Sequence, residues 1–291
     1  MRTAALLNPA SGSAAPDRVH DLLAAGCSDL EVYQPEPGDD LVALARAILE
    51  TRKPEVFVVA GGDGSVSAVA TAIGTRPVRL AIVPTGTANV LARELQIPLD
   101  LEEACAVATS EQTRRIDAMQ YGERRCLCRI GIGAFGEVGR RTSPEAKKVA
   151  GGLAYVWNAL PHAFAGTVHR VRLEVDGRCV TVDASSVIVT NLASVGMGTL
   201  RWGEHVRLDD GKVDVFIVHG ATLGDNVAVL WNALNDGVQQ AEEVSHLVAR
   251  EHVHVELDHD LPAVADGEYL PARVHQMHVH AGGLEVLAPQ G

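Results

Sequence analysis

Three times in its first 90 residues the chain runs from a short apolar stretch through a glycine- and hydroxyl-rich turn into a helical pattern. The turns are NPASGS (Asn8 to Ser13), GGDGS (Gly61 to Ser65) and PTGTAN (Pro84 to Asn89). A chain with this rhythm has few folds open to it. Strands that alternate with helices imply crossover connections and a parallel sheet. Open sheets of that kind bind ligands at the carboxyl ends of their strands, so the three turns are expected to converge on one crevice.

The pattern predicts strands at 3–7, 30–33, 56–60 and 80–83, and helices at 14–25, 39–49, 65–73 and 88–95. Ser13 is a candidate N-cap for the first helix, with Pro16 in its first turn. Near residue 112 the rhythm changes. Strand-like runs follow at 113–120, 126–132, 168–175, 179–189, 213–218, 253–257 and 274–280. They are broken by helical stretches near 145–160 and 223–234, and Asp176-Gly177 and Asp210-Gly211 read as hairpin turns. The expectation is an α/β N-terminal domain (parallel sheet) over residues 1–114. A mostly antiparallel β-sandwich domain is expected over 115–291, its last strand free to return to the first domain.

The 291 residues are 47% hydrophobic, enough for a sizeable core. A formal net charge of −12 argues against a general nucleic-acid binder. Five cysteines (Cys27, Cys105, Cys126, Cys128, Cys179) lack paired zinc-ligand spacing and read as reduced thiols of a cytoplasmic protein. No apolar run approaches the roughly 20 residues that span a bilayer.

Each turn has chemistry to offer. Gly61, Gly62 and Gly64 let backbone approach a ligand closely, and Asp63 sits where a carboxylate meets a metal–phosphate complex. Ser65 opens a helix whose N–H groups and dipole favour an anion. Gly86, Thr85, Thr87 and Asn89 repeat that logic one crossover later. A plain Gly-Asp-Gly turn and ordinary helix caps would account for the same residues. The four lysines include none in a G-x-x-x-x-G-K-[ST] setting. Phosphates must then be held by amides, hydroxyls, arginine or Mg²⁺.

The ordered set NPASGS, GGDGS, PTGTANVLAREL, LDDGKVDV (Leu208 to Val215) and ADGE (Ala265 to Glu268) resembles the diacylglycerol kinase / sphingosine kinase superfamily, specifically its short bacterial lipid-kinase branch. The match spans Asn8 to Glu268. The resemblance implies a nucleotide-binding first domain like that of phosphofructokinase and NAD kinase, a β-sandwich second domain, and ATP and Mg²⁺ as cofactors. It implies a lipid hydroxyl as phosphate acceptor, entering between the domains. Carried over by position, Gly61, Gly62, Asp63, Gly64, Ser65, Val66, Ser67 and Thr87 would contact ATP, with Asn8, Gly86 and Asn89 completing the cradle. Gln34 stands where relatives place a nucleotide-contacting threonine. A structural Mg²⁺ would be held by the Asp210 carboxylate and by the carbonyls of Arg207 and Lys212. Asp266 or Glu268 would take the acceptor's proton, and Asp63 would manage the metal–phosphate complex. The resemblance further implies peripheral contact with a membrane surface at its inner face; a homodimer is the default assembly. Relatives commonly carry Asn-Asp where this chain has Asn89-Val90. A soluble kinase resembling NAD kinase, or a weakly catalytic nucleotide- or lipid-binding regulator, are the rival readings.

Three further features compete for attention. Gly131 to Gly136 satisfies G-x-G-x-x-G but lacks the acidic strand end of a dinucleotide site. His252 and His254 share one strand face, as do His278 and His280, without a cysteine or carboxylate spacing that completes a zinc set. Arg124-Arg125, Arg140-Arg141 and Lys147-Lys148 precede the semi-apolar run 154–164, with Tyr155, Trp157, Leu160 and Phe164. That run reads either as a surface for anionic lipid or as a packed helix with solvated charges.

Overall fold

The computed structural model describes residues 1–12, 15–141, 167–195, 201–203, 205–219, 243–270 and 272–290. The expected helices at 145–160 and 223–234, the cap at Ser13 and the basic and aromatic run from Arg140 to Phe164 lie outside the described residues or side chains. The chain divides into two compact units. The first comprises Met1–Ala118, Glu123–Arg125 and Gly282–Gly291; the second comprises Met119–Gly122 and Cys126–Ala281.

In the first unit, β1 (Arg2–Leu7), α1 (Pro16–Gly26), β2 (Asp29–Tyr33), α2 (Leu41–Arg52), β3 (Val56–Gly61), α3 (Asp63–Ile73), β4 (Arg79–Pro84), α4 (Val90–Glu94) and α5 (Leu101–Ala108) alternate as expected. Strands β2, β1, β3 and β4 lie side by side and parallel, with Ala5 opposite both Val32 and Val58. All six residues of β3 are buried, as a strand covered on both faces requires. Capping chemistry sets the boundaries that periodicity alone misplaces. The Asp40 side chain accepts from the Val42 and Ala43 amides, so α2 begins at Leu41 rather than Asp39. Asp100 caps α5, a helix that the pattern did not single out, in the same way. Ahead of α4, Asn89 stands in the left-handed region (φ 47°), which delays the helix to Val90.

The second unit is two antiparallel sheets around one core. After β5 (Thr113–Tyr121), β6 (Arg124–Cys126), β7 (Arg129–Gly133) and α6 (Ala134–Arg141) come β8 (His169–Val175), β9 (Arg178–Ala184), β10 (Ser186–Thr190) and β11 (Val213–Val218). β12 (Val244–Ala249), β13 (His252–Leu261), β14 (Ala263–Ala265), β15 (Glu268–Tyr269) and β16 (Ala272–Leu287) follow. One sheet runs β12-β11-β10-β7-β14-β15; in the other, β16, β13, β8 and β9 are neighbours. Ile130, Val187, Val189 and Val215 from the first meet Leu173, Val253, Val255 and Met277 from the second. The fold class is therefore an α/β unit with a parallel sheet followed by an antiparallel β-sandwich. The end of β16 belongs to the first unit, where Val286 and Leu287 pair in parallel with Leu80 and Ala81 of β4.

Two runs that read as single strands are each two. The 179–189 run breaks at Ser185, so that β9 joins one sheet and β10 the other. The buried Ser185 binds the Val218 carbonyl through its amide and its hydroxyl, at 2.8 and 3.2 Å, and its own carbonyl accepts from Ala134. The 126–132 run breaks at Leu127-Cys128, for a reason that belongs to the site below. Asp210-Gly211 leads into β11 with no named strand immediately before it among the described residues, so it is not a hairpin turn. Gly131 to Gly136 forms the end of an antiparallel strand and the start of α6, not a parallel dinucleotide-binding unit. Its glycines make room for packing: Phe135 occupies the space a Gly131 side chain would need, and Gly133 adopts φ 82° against the Ser185 carbonyl.

His275 is fully buried beside Tyr121, whose hydroxyl lies 2.5 Å from Nδ1 while Nε2 lies 3.1 Å from the Ala272 carbonyl. With Nε2–H donating to the carbonyl, the neutral ring leaves Nδ1 to accept from the tyrosine hydroxyl. Burial holds its pKa below the ordinary value of 6.5, although the Ala272 bond and the charge of Asp260 pull the other way. The unfolded chain then takes up a proton near pH 6.5 that the native chain refuses, so stability falls as pH drops through that value. Denaturant unfolding at pH 7.5 and 5.5 is expected to show this loss, and His275→Phe to flatten it. Tyr121→Phe is expected to cost about 1 kcal/mol at neutral pH by orphaning Nδ1.

Candidate active site

In the first unit the three glycine-rich turns meet at the carboxyl ends of β1, β3 and β4. The Asn8 amide nitrogen donates to the Ser65 hydroxyl at 2.9 Å, tying the first turn to the second. Ser11 and Thr85 hydroxyls lie 2.8 Å apart, tying the first to the third. A carboxylate links the second to the third: Asp63 Oδ1 accepts from the Leu91 amide at 3.3 Å. Backbone packing completes the knot. A side chain on Gly86 would strike the Gly62 Cα, and one on Gly12 would come within 2.8 Å of the Thr85 carbonyl oxygen. Asn89 holds the third turn closed by binding both the amide and the carbonyl of Gly86, at 3.0 and 2.8 Å. Its side chain is thus spent on the loop, and Ser65 is buried at the start of α3. Val66 is buried, whereas Gly62, Asp63, Ser67 and Thr87 are only partly exposed or exposed. Ser67 faces another way, donating to the Arg125 carbonyl at 3.2 Å. A pocket of about 320 Å³ opens beside the first turn, between Asn8–Ala10 and Pro35–Asp39.

Arg125 departs from the expectation of a basic surface. It is 3% exposed, donates to the Gly283 carbonyl and receives Thr71 at its backbone. Burial lowers its pKa. It packs the first unit instead of facing a membrane.

In the second unit, β14 and β15 form a short hairpin whose turn is Asp266-Gly267. Asp266 (φ 47°) and Gly267 (φ 92°) both take the left-handed region, the signature of a tight two-residue hairpin turn. The Asp266 carboxylate accepts from the amides of Leu127, Cys128 and Arg129 at 2.7, 3.0 and 3.0 Å, and the Cys126 thiol lies 2.9 Å away. Its own amide donates to the Arg129 carbonyl. Burial and the neighbouring carboxylate push the Cys126 thiol well above its ordinary pKa. These bonds break the 126–132 run, because three consecutive amides that turn inward to one carboxylate cannot also serve a strand ladder. They also pin the turn that carries Glu268, which is half-buried at the start of β15. The Asp266 carboxylate is thus committed to backbone.

The turn before β11 holds Arg207, Asp210 and Lys212. Asp210 Oδ2 pairs with Lys212 Nζ at 3.1 Å, while Oδ1 is buried with no hydrogen-bond partner. An orphaned, buried carboxylate oxygen is the kind of ligand a hard cation such as Mg²⁺ takes. Among the described residues no three His, Cys, Asp or Glu side chains converge tightly enough to hold an ion, so any cation here would rely on carbonyls and water for its remaining ligands.

Comparison with known proteins fits this geometry. Residues 2–121 match the diacylglycerol kinase catalytic domain, and residues 129–288 match the YegS C-terminal NAD kinase beta sandwich-like domain. The chain is 33% identical over 266 residues to a probable lipid kinase YegS-like protein of Pseudomonas aeruginosa, covering 85% of this chain and 82% of that one. It is 26% identical over 299 residues to a diacylglycerol kinase of Staphylococcus carnosus, covering 99% and 95%. It also matches, at 27% identity over 238 residues, an uncharacterized Synechocystis protein, sll0036; the match covers 80% of this chain and 55% of that protein's length. A Bacillus anthracis structure named for diacylglycerol kinase superposes with a TM-score of 0.83 over 99% of this chain and 95% of its own, at 22% identity, which shows the shared fold. The chain belongs to the diacylglycerol kinase and YegS-like family of lipid kinases, and is by family a kinase-type enzyme.

The sequence places the three turns but does not reveal which side chains hold the loops together. Asp266→Ala removes the acceptor of three inward amides and is expected to cost about 3 kcal/mol. Urea unfolding of the variant against the parent measures it, with Glu268→Gln as the near-neutral comparison.

Proposed function

We propose that the chain transfers the γ-phosphate of ATP to a hydroxyl of diacylglycerol or a related lipid, with Mg²⁺. The observation that carries the proposal is the three-way knot of turns in the first unit. It presents glycine backbone, the hydroxyl-rich PTGTAN turn and the Asp63 carboxylate at the carboxyl ends of parallel strands. Phosphoryl transfer asks mainly for positioning and charge neutralisation, which such a cradle supplies without a lysine loop. The α3 N-terminus adds its dipole to the same place. Mg²⁺ neutralises charge on the phosphates when bound. Asp63 is the side chain of the cradle suited to a metal–phosphate complex, and the Asn8, Ser11 and Thr85 hydrogen bonds keep its loop in place.

Glu268 acts as the general base that accepts the proton of the lipid hydroxyl. A base needs direct reach and a fixed position. The Asp266 clamp fixes the hairpin that bears Glu268, which divides the two acidic residues into a positioning group and a proton acceptor. The turn at Arg207, Asp210 and Lys212 would hold a second, structural Mg²⁺ through the Asp210 carboxylate and the two carbonyls. The expected site of action is a membrane surface, where the acceptor resides. No described helix is long and apolar enough to cross a membrane.

Val90, where relatives commonly have aspartate, is 9% exposed and packs the start of α4. The amide after it already binds Asp63, so one acidic residue serves the cradle.

With radiolabelled ATP, Mg²⁺ and mixed lipid vesicles, the purified chain is expected to label a diacylglycerol-type lipid and to leave NAD unlabelled. Asp63→Asn and Glu268→Gln are each expected to lower the rate by about a hundredfold or more, the size of a lost base or charge-stabilising group. Both variants keep a hydrogen-bonding shape and should melt with the parent. Labelling of NAD alone, or full activity in Glu268→Gln, would overturn the assignment.

A further inference from the structure

The kinase reading fills the glycine cradle with phosphates and leaves the adjoining pocket of about 320 Å³ unassigned. Asn8 belongs to both. It lines the pocket, and its side-chain nitrogen reaches the Ser65 hydroxyl at the start of α3. A triphosphate seated on the cradle can therefore extend its other end into the pocket.

The far wall is a fixed turn. Pro37 and Gly38 (φ 98°) stand at the two central positions, in the pattern of a type II turn, and the Asp39 amide donates to the Glu36 carbonyl at 3.1 Å. Asp39 closes the turn a second time, its carboxylate accepting from the Glu36 amide at 2.8 Å. Pro9, Ala10, Pro35, Pro37 and Leu41 make the lining largely apolar, which suits the flat face of a base.

The polar side chains of the lining are mostly engaged. Asn8, the lining side chain able to donate, gives its nitrogen to Ser65 and takes the Ala10 amide on its oxygen, at 2.9 and 3.0 Å. Of the two carboxylates, Asp39 is tied to its turn. Glu36 is exposed and has no hydrogen-bond or ion partner among the described residues. An ionised carboxylate accepts and does not donate. A base edge presents donors mixed with acceptors, whereas a ribose presents two hydroxyls side by side, and an acidic residue is a known kind of partner for a ribose hydroxyl.

Resting on the kinase reading, we propose that this pocket takes the nucleoside end of the triphosphate and reads its sugar rather than its base. Glu36 accepts from the ribose hydroxyls, and the apolar walls hold adenine and guanine alike. Glu36 is then a specificity-determining residue on the phosphate-donor side, one that disfavours deoxynucleotides.

Calorimetric titration of the full chain with nucleoside triphosphates, in Mg²⁺ and without lipid, tests the proposal. ATP and GTP are expected to bind within about tenfold of each other, as a mainly apolar pocket discriminates weakly. The 2′-deoxy form of ATP should bind about tenfold or more weakly than ATP, the size of a lost hydrogen bond to a charged group. Glu36→Ala should bring ATP down to the level of the deoxy form, leave the deoxy form unchanged and melt with the parent, since its side chain is exposed and unbonded. Equal binding of ATP and its deoxy form by the parent, a gap that survives Glu36→Ala, or GTP outside the tenfold range overturns the inference and leaves the kinase reading standing. If no triphosphate binds, the kinase reading fails and this inference with it.

Discussion

Where the turn after β3 meets the turn after β4 there is no room for a single methyl group. Gly62 and Gly86 bring two stretches of backbone into contact, and Gly12 brings a third strand's turn against the same place. The arrangement of the three turns in the first unit depends on that closeness. It lets Asp63, in the first turn of α3, reach the Leu91 amide. The side-chain bonds from Asn8 and Ser11 are individually worth about 1 kcal/mol, but they act on loops already held together by glycine.

The second unit solves a related problem with charge. A hairpin of five strand residues, β14 and β15 together, is too short to hold Glu268 in place by its own ladder. One carboxylate, Asp266, takes over that work by gathering the amides at the start of β7. The interaction has a cost visible in the topology: an otherwise continuous strand is cut in two. It also sets two acidic residues two positions apart in different surroundings, since one is consumed by backbone and the other is carried by the turn it stabilises.

The parallel sheet of the first unit was readable because β-branched runs and glycine turns alternate at a regular spacing, and a fully buried strand such as β3 leaves a continuous apolar signature. The sandwich was readable in class but less so in detail. Nothing local to Ser185 announces that the chain changes sheets there; the reason lies in its bonds to Val218 and in the space left by Gly133. β12 escaped notice because only Val244 and Ala249 of it are buried, so its alternation is too weak to register. The site divided along the same line. The glycines and Asp63 follow from motif and position, whereas the difference between Asp266 and Glu268 depends on residues some 140 positions away.

The parallel pairing of Val286 and Leu287 with β4 bears on biosynthesis. A ribosome delivers β4 long before Val286 and Leu287, the residues that cover its edge. Until they emerge that edge stays uncovered, an open template for unwanted strand partners. The parallel sheet is finished only when the end of β16 arrives, so the first unit matures no earlier than the second although most of it is made first.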